Sequence, residues 1–285
     1  MMKNIKAIFL LATATIFVLF VSAQSSSVDT TKIGNNEKAG RYVKTRGFNM
    51  YYETYGVGEP LLLIHGNGGS ISNFMYQAPY FSKSYKVIVA DSRAQGKSVD
   101  TGDSLSYEMM ADDLNALLDA LHLDSCYVIG WGDGGIDGLL LAIRHPDKVK
   151  KLAVTGAKLW PDTTAVDLPA YNWAMKYNES FEKLTQTPET RNNRKVAHLL
   201  SYGPHITTEQ LKKIQCPALI IGGDHDIILP KHTLLIAASI RRSYLWILPD
   251  SGNSTPIYYK DQFNEVVGNF FRTTYKKIEG LDRFN

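Results

Sequence analysis

The chain has 285 residues, of which 44% are hydrophobic and 21% charged, as in ordinary globular proteins. A formal net charge of +3 is too small to favour nucleic acid or an anionic membrane surface as a partner. The length fits one large α/β domain with an insertion, or two small domains.

The N-terminus has the pattern of a secretory signal peptide. Lys3 and Lys6 supply positive charge, and an apolar stretch of about 15 residues runs from Ala7 to Val21. That stretch is shorter than the ~20 residues that a membrane-spanning helix needs, and it ends at the small-x-small sequence Val21-Ser22-Ala23. We therefore predict a signal peptide over residues 1–23 and an exported protein, periplasmic or secreted, with no membrane span after cleavage. Residues 24–40 are rich in Ser, Thr, Asn and Gly and predict a flexible mature N-terminus.

From residue 41 onward, short apolar runs alternate with helix-forming segments. The runs 41–45 and 48–55 flank Arg46-Gly47 and predict a β-hairpin. Alternating strands and helices imply a mostly parallel sheet with helices on both faces, so the sequence predicts an α/β fold with eight strands. We place the further strands at 61–65, 86–90, 127–130, 149–155, 217–222 and 243–248, and the helices at 70–82, 107–121, 134–145, 230–239 and 261–275.

Residues 157–212 interrupt the alternation. They contain helical stretches at 170–184 and 191–200 but no predicted strand. Ligands in open α/β sheets bind outside the carboxyl ends of the strands, and this insertion is expected to form a cap over that edge. The core then comprises residues 41–156 and 213–285. Four aromatic residues either line a pocket or form the cap's own small core: Trp160, Tyr171, Trp173 and Tyr177.

The two cysteines, Cys126 and Cys216, each lie at the start of a predicted core strand. In the predicted fold another strand lies between these two strands, which separates the cysteines by ~10 Å at ~4.8 Å per strand spacing. A disulfide requires Cα atoms within ~7 Å of each other. We therefore predict two buried free thiols.

Short motifs at the ends of the predicted strands resemble the motifs of the α/β-hydrolase family. The resemblance covers about residues 41–275 and implies the α/β-hydrolase fold with a small helical cap. Ala94 departs from the pattern, because the family usually has glycine there. The motifs are His65-Gly66, the loop Asp91-Ser92-Arg93-Ala94-Gln95-Gly96-Lys97-Ser98, Gly130-Trp131-Gly132-Asp133-Gly134, Gly223-Asp224-His225-Asp226 and Leu248-Pro249-Asp250-Ser251-Gly252-Asn253.

The resemblance implies a Ser, Asp and His triad in that chain order. The matching positions here hold Gly132 as the nucleophile position, Asp226 as the acid position and Asn253 as the base position. Glycine has no side chain that could attack a substrate, and asparagine does not titrate near neutral pH as imidazole does. The family's oxyanion-hole donors are backbone N–H groups, which fall here on Asn67 and Asp133 and do not depend on side-chain identity.

Asp133 also permits another interpretation, as a displaced nucleophile in a motif shifted by one residue. The bulky Trp131 would then occupy a position that calls for a small residue. A simpler interpretation is that Asp133 is a carboxylate in the first turn of a helix, where the helix dipole favours negative charge.

Histidines near these motifs could substitute for the absent base. His225 and His232 lie near the acid position, His205 lies in the cap within reach of a pocket, and His65 precedes the oxyanion turn. A solvated or structural histidine is the simpler interpretation for each. The run Asp224-His225-Asp226 holds metal-ligand types, but adjacent side chains alternate in direction, so we predict no metal and no cofactor.

Two functional classes remain. The first is a non-catalytic protein that binds a small apolar or ester-like molecule, or a protein partner of unknown identity, at a pocket with His65, His205 and Trp131 as candidate residues. The second is an active hydrolase of a small ester-like substrate, in which a cap histidine activates water at the oxyanion hole. We predict the first class, with no nucleic acid partner.

Overall fold

A computed structural model describes residues 28–280 and 283. Eight strands form one sheet in the order β1-β2-β4-β3-β5-β6-β7-β8. Strands β1 and β2 pair antiparallel, β2 pairs antiparallel with β4, and the other pairs are parallel, which confirms the predicted sheet. The strands are β1 (Gly40–Thr45), β2 (Phe48–Tyr55), β3 (Glu59–Ile64), β4 (Tyr85–Ala90), β5 (Cys126–Trp131), β6 (Val149–Thr155), β7 (Ala218–Gly223) and β8 (Ser243–Leu248).

Helices cover both faces of the sheet because the central strands are apolar on both sides. In β3, Leu62 and Ile64 face one core cluster, while Leu61 and Leu63 face the other, as the two-residue period of a strand requires. Among the described helices none is long and apolar enough to cross a membrane. The helices are α1 (Gln77–Phe81), α2 (Tyr107–Ala120), α3 (Asp133–Arg144), α4 (Leu168–Glu182), α5 (Pro188–Tyr202), α6 (Thr208–Leu211), α7 (Pro230–Ser239), α8 (Thr255–Tyr258) and α9 (Lys260–Arg272).

The helix predicted over residues 70–82 does not form as one piece. A 3-10 turn at Ile71–Phe74 is followed by the short helix α1. The Ser70 N–H donates to Asn73 Oδ1 at 2.7 Å, and the Ile71 N–H donates to Asp91 Oδ1 at 2.8 Å. The Asp91 side chain, on the loop after β4, therefore fixes the backbone at the start of this segment, and no continuous helix forms there.

The cap consists mainly of α4 and α5, close to the two predicted helices, with α6 at its end. Buried ion pairs attach α5 to the core. Lys195 Nζ lies 2.5 Å from Asp100 Oδ2, and Arg93 bonds the other Asp100 oxygen at 3.0 Å. The cap also makes one isolated β-bridge, between Val166 and Ile228.

The described part of residues 24–40, a segment predicted to be flexible, contacts the core. Ile33 is buried, and the N–H groups of Gly34 and Asn36 donate to the Glu53 carboxylate at 2.8 and 3.0 Å. Glu53 is fully buried on β2 and also accepts from two tyrosine hydroxyls. This buried acceptor, distant in sequence, orders a polar segment. The predicted signal peptide lies outside the described residues.

Both cysteines are buried and free, and β6 lies between β5 and β7 as predicted. Burial raises the pKa of the Cys126 and Cys216 thiols to about 12. Both therefore remain protonated at neutral pH, a state in which a thiol is a poor nucleophile.

Candidate functional site

The turn between β5 and α3 has the geometry of a nucleophile elbow. Gly132, at its centre, has φ of 59° and ψ of −120°, a left-handed conformation that L side chains rarely adopt. A Cβ on Gly134 would lie 2.0 Å from the Ile64 carbonyl oxygen, so α3 can approach β3 closely only with glycine there. A Cβ on Gly132 would meet only Gly66 Cα, at 3.6 Å. The central position therefore has room for a side chain that it does not carry.

The acid and base positions lie in contact with each other. Asn253 Nδ2 donates to Asp226 Oδ1 at 2.9 Å, and the same oxygen accepts the Ile228 N–H at 3.0 Å. Asp226 is buried, and burial raises the pKa of its carboxyl group. The Trp131 indole N–H donates to the Asn253 carbonyl at 2.9 Å, which ties this turn to the elbow.

Two backbone N–H groups are available where the family has its oxyanion hole. They belong to Asn67, after the His-Gly turn, and to Asp133, the first residue of α3. Neither backbone N–H group donates a hydrogen bond to another part of the described chain. The N-terminus of α3 adds the positive end of a helix dipole at the same place.

The carboxylate of Asp133 is engaged elsewhere. Its Oδ2 accepts from Asn67 Nδ2 at 2.7 Å, and the Asn67 amide also donates to the Val196 carbonyl of α5 at 3.1 Å. Asp133 is buried in the first turn of α3. This arrangement corresponds to the simpler interpretation, a first-turn carboxylate, and links the core to the cap.

The histidines considered as substitute bases do not converge on the elbow. His65 is buried with its Nε2 accepting the Ser92 N–H at 2.9 Å, and burial lowers its pKa. His232 accepts the Leu159 N–H at 2.9 Å, and burial lowers its pKa to about 4. His205 and His225 are exposed, and none of the four lines the cavity described below. The pocket candidates His65 and His205 therefore lie away from it.

The potential metal ligands at the acid turn also diverge. Asp224 and His225 face solvent, whereas Asp226 is buried against Asn253. In the part of the chain that the structure describes, no three His, Cys, Asp or Glu side chains are grouped to hold a metal ion.

A cavity of approximately 440 Å³ separates the strand ends from the cap. Its floor includes Trp131, Gly132 and Asn253, and its roof includes Trp173 and Tyr177 of α4. Trp160 and Tyr171 pack instead against a small apolar cluster of Ala165, Val166 and Ile228. The four cap aromatics thus divide between the two roles that the sequence left open.

Two buried charged residues near the site were not predicted from the sequence. Lys158, after β6, lines the cavity, and the residue is only 6% exposed. Asp137 on α3 is fully buried, and neither carboxyl oxygen has a hydrogen-bond partner in the described chain. Burial raises the pKa of Asp137 well above its usual range, and the charge of Asp133 raises it further. The only sequence signal for Lys158 was a charged residue closely following a strand at the ligand-binding edge.

An elbow, an oxyanion turn and an acid turn at the carboxyl edge of such a sheet define an α/β-hydrolase scaffold. The sequence model of the alpha/beta hydrolase fold family matches residues 59–194. The chain is 36% identical over 258 residues to a putative carbamate hydrolase, RutD, of Serratia proteamaculans, covering 76% of this chain and 94% of the relative. The chain therefore belongs to the α/β-hydrolase family.

Two further comparisons agree with this membership. The serine hydrolase BPHL of Homo sapiens is 27% identical over 252 residues, covering 81% of this chain and 85% of that protein. The enol-lactonase from Burkholderia xenovorans shares the fold with a TM-score of 0.68 at 20% identity, covering 82% of this chain and all of that one.

Proposed function

We propose that this chain is an α/β-hydrolase-family protein, related to ester hydrolases, that binds a small ester-like or apolar molecule without turning it over. The observation that carries the proposal is Gly132 at the centre of an intact elbow, facing a cavity bounded by Asn253. Without a hydroxyl no acyl-enzyme can form, and without imidazole no proton is transferred to or from a nucleophile. The cavity and the oxyanion donors remain as binding elements.

A second candidate function, weak hydrolysis of a small ester-like substrate, has its own supporting observation. The N–H groups of Asn67 and Asp133 are free to stabilise an oxyanion. In triad proteases, the oxyanion hole and substrate binding alone leave a residual ~10³–10⁴-fold acceleration over water. Turnover of that size would not require a serine.

The test compares four proteins with chromogenic short-chain acyl esters: the natural chain, Gly132→Ser, Asn253→His and the double variant. Histidine at 253 keeps a nitrogen on Cγ, as asparagine does, so it can retain the 2.9 Å bond to Asp226. General acid–base catalysis contributes typically 10²–10⁴-fold, so the double variant is expected to exceed each single variant by at least about 10²-fold. The natural chain is expected to hydrolyse these esters no faster than background. Binding of the same esters is expected to quench its tryptophan fluorescence saturably.

Two results would contradict the proposal. Turnover by the natural chain well above background would make it an enzyme, and His205→Ala and His225→Ala would then test the substitute bases. An inert double variant that also binds no ester or amide would mean that this cavity is not a hydrolase-derived binding site.

We further propose that the protein is exported, periplasmic or secreted, after cleavage following Ala23. The support is the basic, apolar and small-residue pattern of residues 1–23. N-terminal sequencing of the protein recovered from its native cell is expected to begin at Gln24. A chain that retains Met1 in the cytoplasm would contradict export.

A further inference from the structure

Lys158 is the one cation among the cavity's described lining residues. It lies three residues beyond the end of β6, the strand beside the elbow strand β5. Of the side chains that line the cavity, two are charged, Lys158 and Asp133. Since Asp133 is already bonded to Asn67, Lys158 supplies the charge that is open to a ligand.

The hydrogen-bonding capacity of Lys158 is only partly used. Its Nζ donates to the Leu200 carbonyl at 2.5 Å, and an ammonium has three N–H donors. Among the described residues no Asp or Glu oxygen lies within 4.0 Å of this nitrogen. Lys195, a buried lysine of α5 that contacts the core, shows the contrast, because it pairs with Asp100. A buried charge normally has such a partner.

Burial disfavours the charge of Lys158, so an anion bound beside it would stabilise the ammonium form. Leu200 lies in the last turn of α5, and the carbonyl end of a helix carries partial negative charge that stabilises a cation. Burial lowers the pKa of Lys158, and the nearby Asp133 carboxylate partly opposes that shift. A ligand carboxylate would restore the pairing that the protein leaves open.

We propose that the cavity binds a small organic acid whose carboxylate pairs with Lys158. The apolar part of the acid lies against Trp131 and the cap aromatics Trp173 and Tyr177, which line the same cavity. An acid is favoured over a phosphate because the described lining of the cavity has a single cation, Lys158, and one carboxylate, Asp133, and is otherwise apolar or neutral. This proposal rests on the proposed binding function and names the chemical class of its ligand.

Matched pairs of acids and primary amides test the proposal on the full chain. The probes are phenylacetate and phenylacetamide, and hexanoate and hexanamide, each titrated by calorimetry. A charge-assisted hydrogen bond favours the acid over its amide by at least about tenfold in Kd. Lys158→Met should abolish the preference, Lys158→Arg should retain it, and Lys44→Met, at an exposed position on β1, should leave it unchanged.

The outcomes separate the two proposals. Equal affinity of the natural chain for acids and amides would overturn the assignment of Lys158 and leave the binding function standing. The same conclusion follows if a folded Lys158→Met, checked by circular dichroism, keeps the acid preference. If neither acids nor amides bind, the acid site fails, and the titration with short-chain acyl esters decides whether the proposed binding function stands. The comparison of acid with amide on the natural chain does not depend on whether any variant folds.

Discussion

Replacing Gly132 with alanine isolates the conformational strain of the elbow. The φ of 59° and ψ of −120° impose on a residue with a Cβ a cost of about 1–3 kcal/mol. No steric term adds to it, because the new Cβ would meet only Gly66 Cα at an ordinary 3.6 Å. For a domain of this size each kcal/mol lowers Tm by about 2–4 °C. Gly132→Ala is therefore expected to lower Tm by about 2–12 °C.

Thermal unfolding followed by circular dichroism measures this cost, with Gly134→Ala as the comparison. At Gly134 the Cβ would lie 2.0 Å from the Ile64 carbonyl oxygen, so α3 must move and the loss should be larger than at Gly132. A Gly132→Ala variant as stable as the natural chain would refute the strain argument. Glycine at the nucleophile position would then bring no gain in stability over a residue with a side chain.

Four further variants test other features. Asp137→Asn should leave the free energy of unfolding unchanged near pH 4 and raise it, relative to the natural chain, toward pH 8. Folding raises the pKa of Asp137, so the natural chain loses stability as the pH rises above the unfolded value of about 3.9. In urea unfolding, Asp124→Asn, at an exposed position, should show no such trend. Ala94→Gly should stabilise by about 1 kcal/mol, since Ala94 has φ of 65°. Glu53→Gln should cost about 1–3 kcal/mol and expose residues 28–40 to protease. Lys195→Met should increase hydrogen exchange in α5, and unchanged exchange would show that the ion pair does not hold the cap.

Much of the fold was predictable from local pattern. The strands Val149–Thr155 and Ser243–Leu248 and the helix Pro230–Ser239 have the bounds that the sequence predicted. These segments are set by apolar runs and by proline at a helix start, which are properties of neighbouring residues. The segment 70–82, which differed, is held by Asp91, and residues 28–40 are held by Glu53; both carboxylates are distant in sequence from the segments that they bind.

Part of the candidate site was likewise predictable from the local sequence, and part was not. The motif frame placed Gly132, Asp226 and Asn253 at one edge of the sheet, because the carboxyl ends of parallel strands share that edge. Lys158 could not be assigned from sequence, since its burial depends on α5 folding over it. His205 illustrates the converse, because membership of the cap segment did not determine which side of the cap its side chain faces.

The two buried lysines at α5 constrain how a molecule can reach the cavity. Lys195 extends from the helix to Asp100 of the core, and Lys158 extends from the core to the Leu200 carbonyl of the helix. Lifting α5 would break both contacts at once. Helix α4 has a single buried residue, Asn178, and its Trp173 is 59% exposed. We expect α4 to move more readily than α5 when a molecule enters or leaves the cavity. Substitutions at Trp173 should therefore alter the rate of ligand exchange more than substitutions on α5.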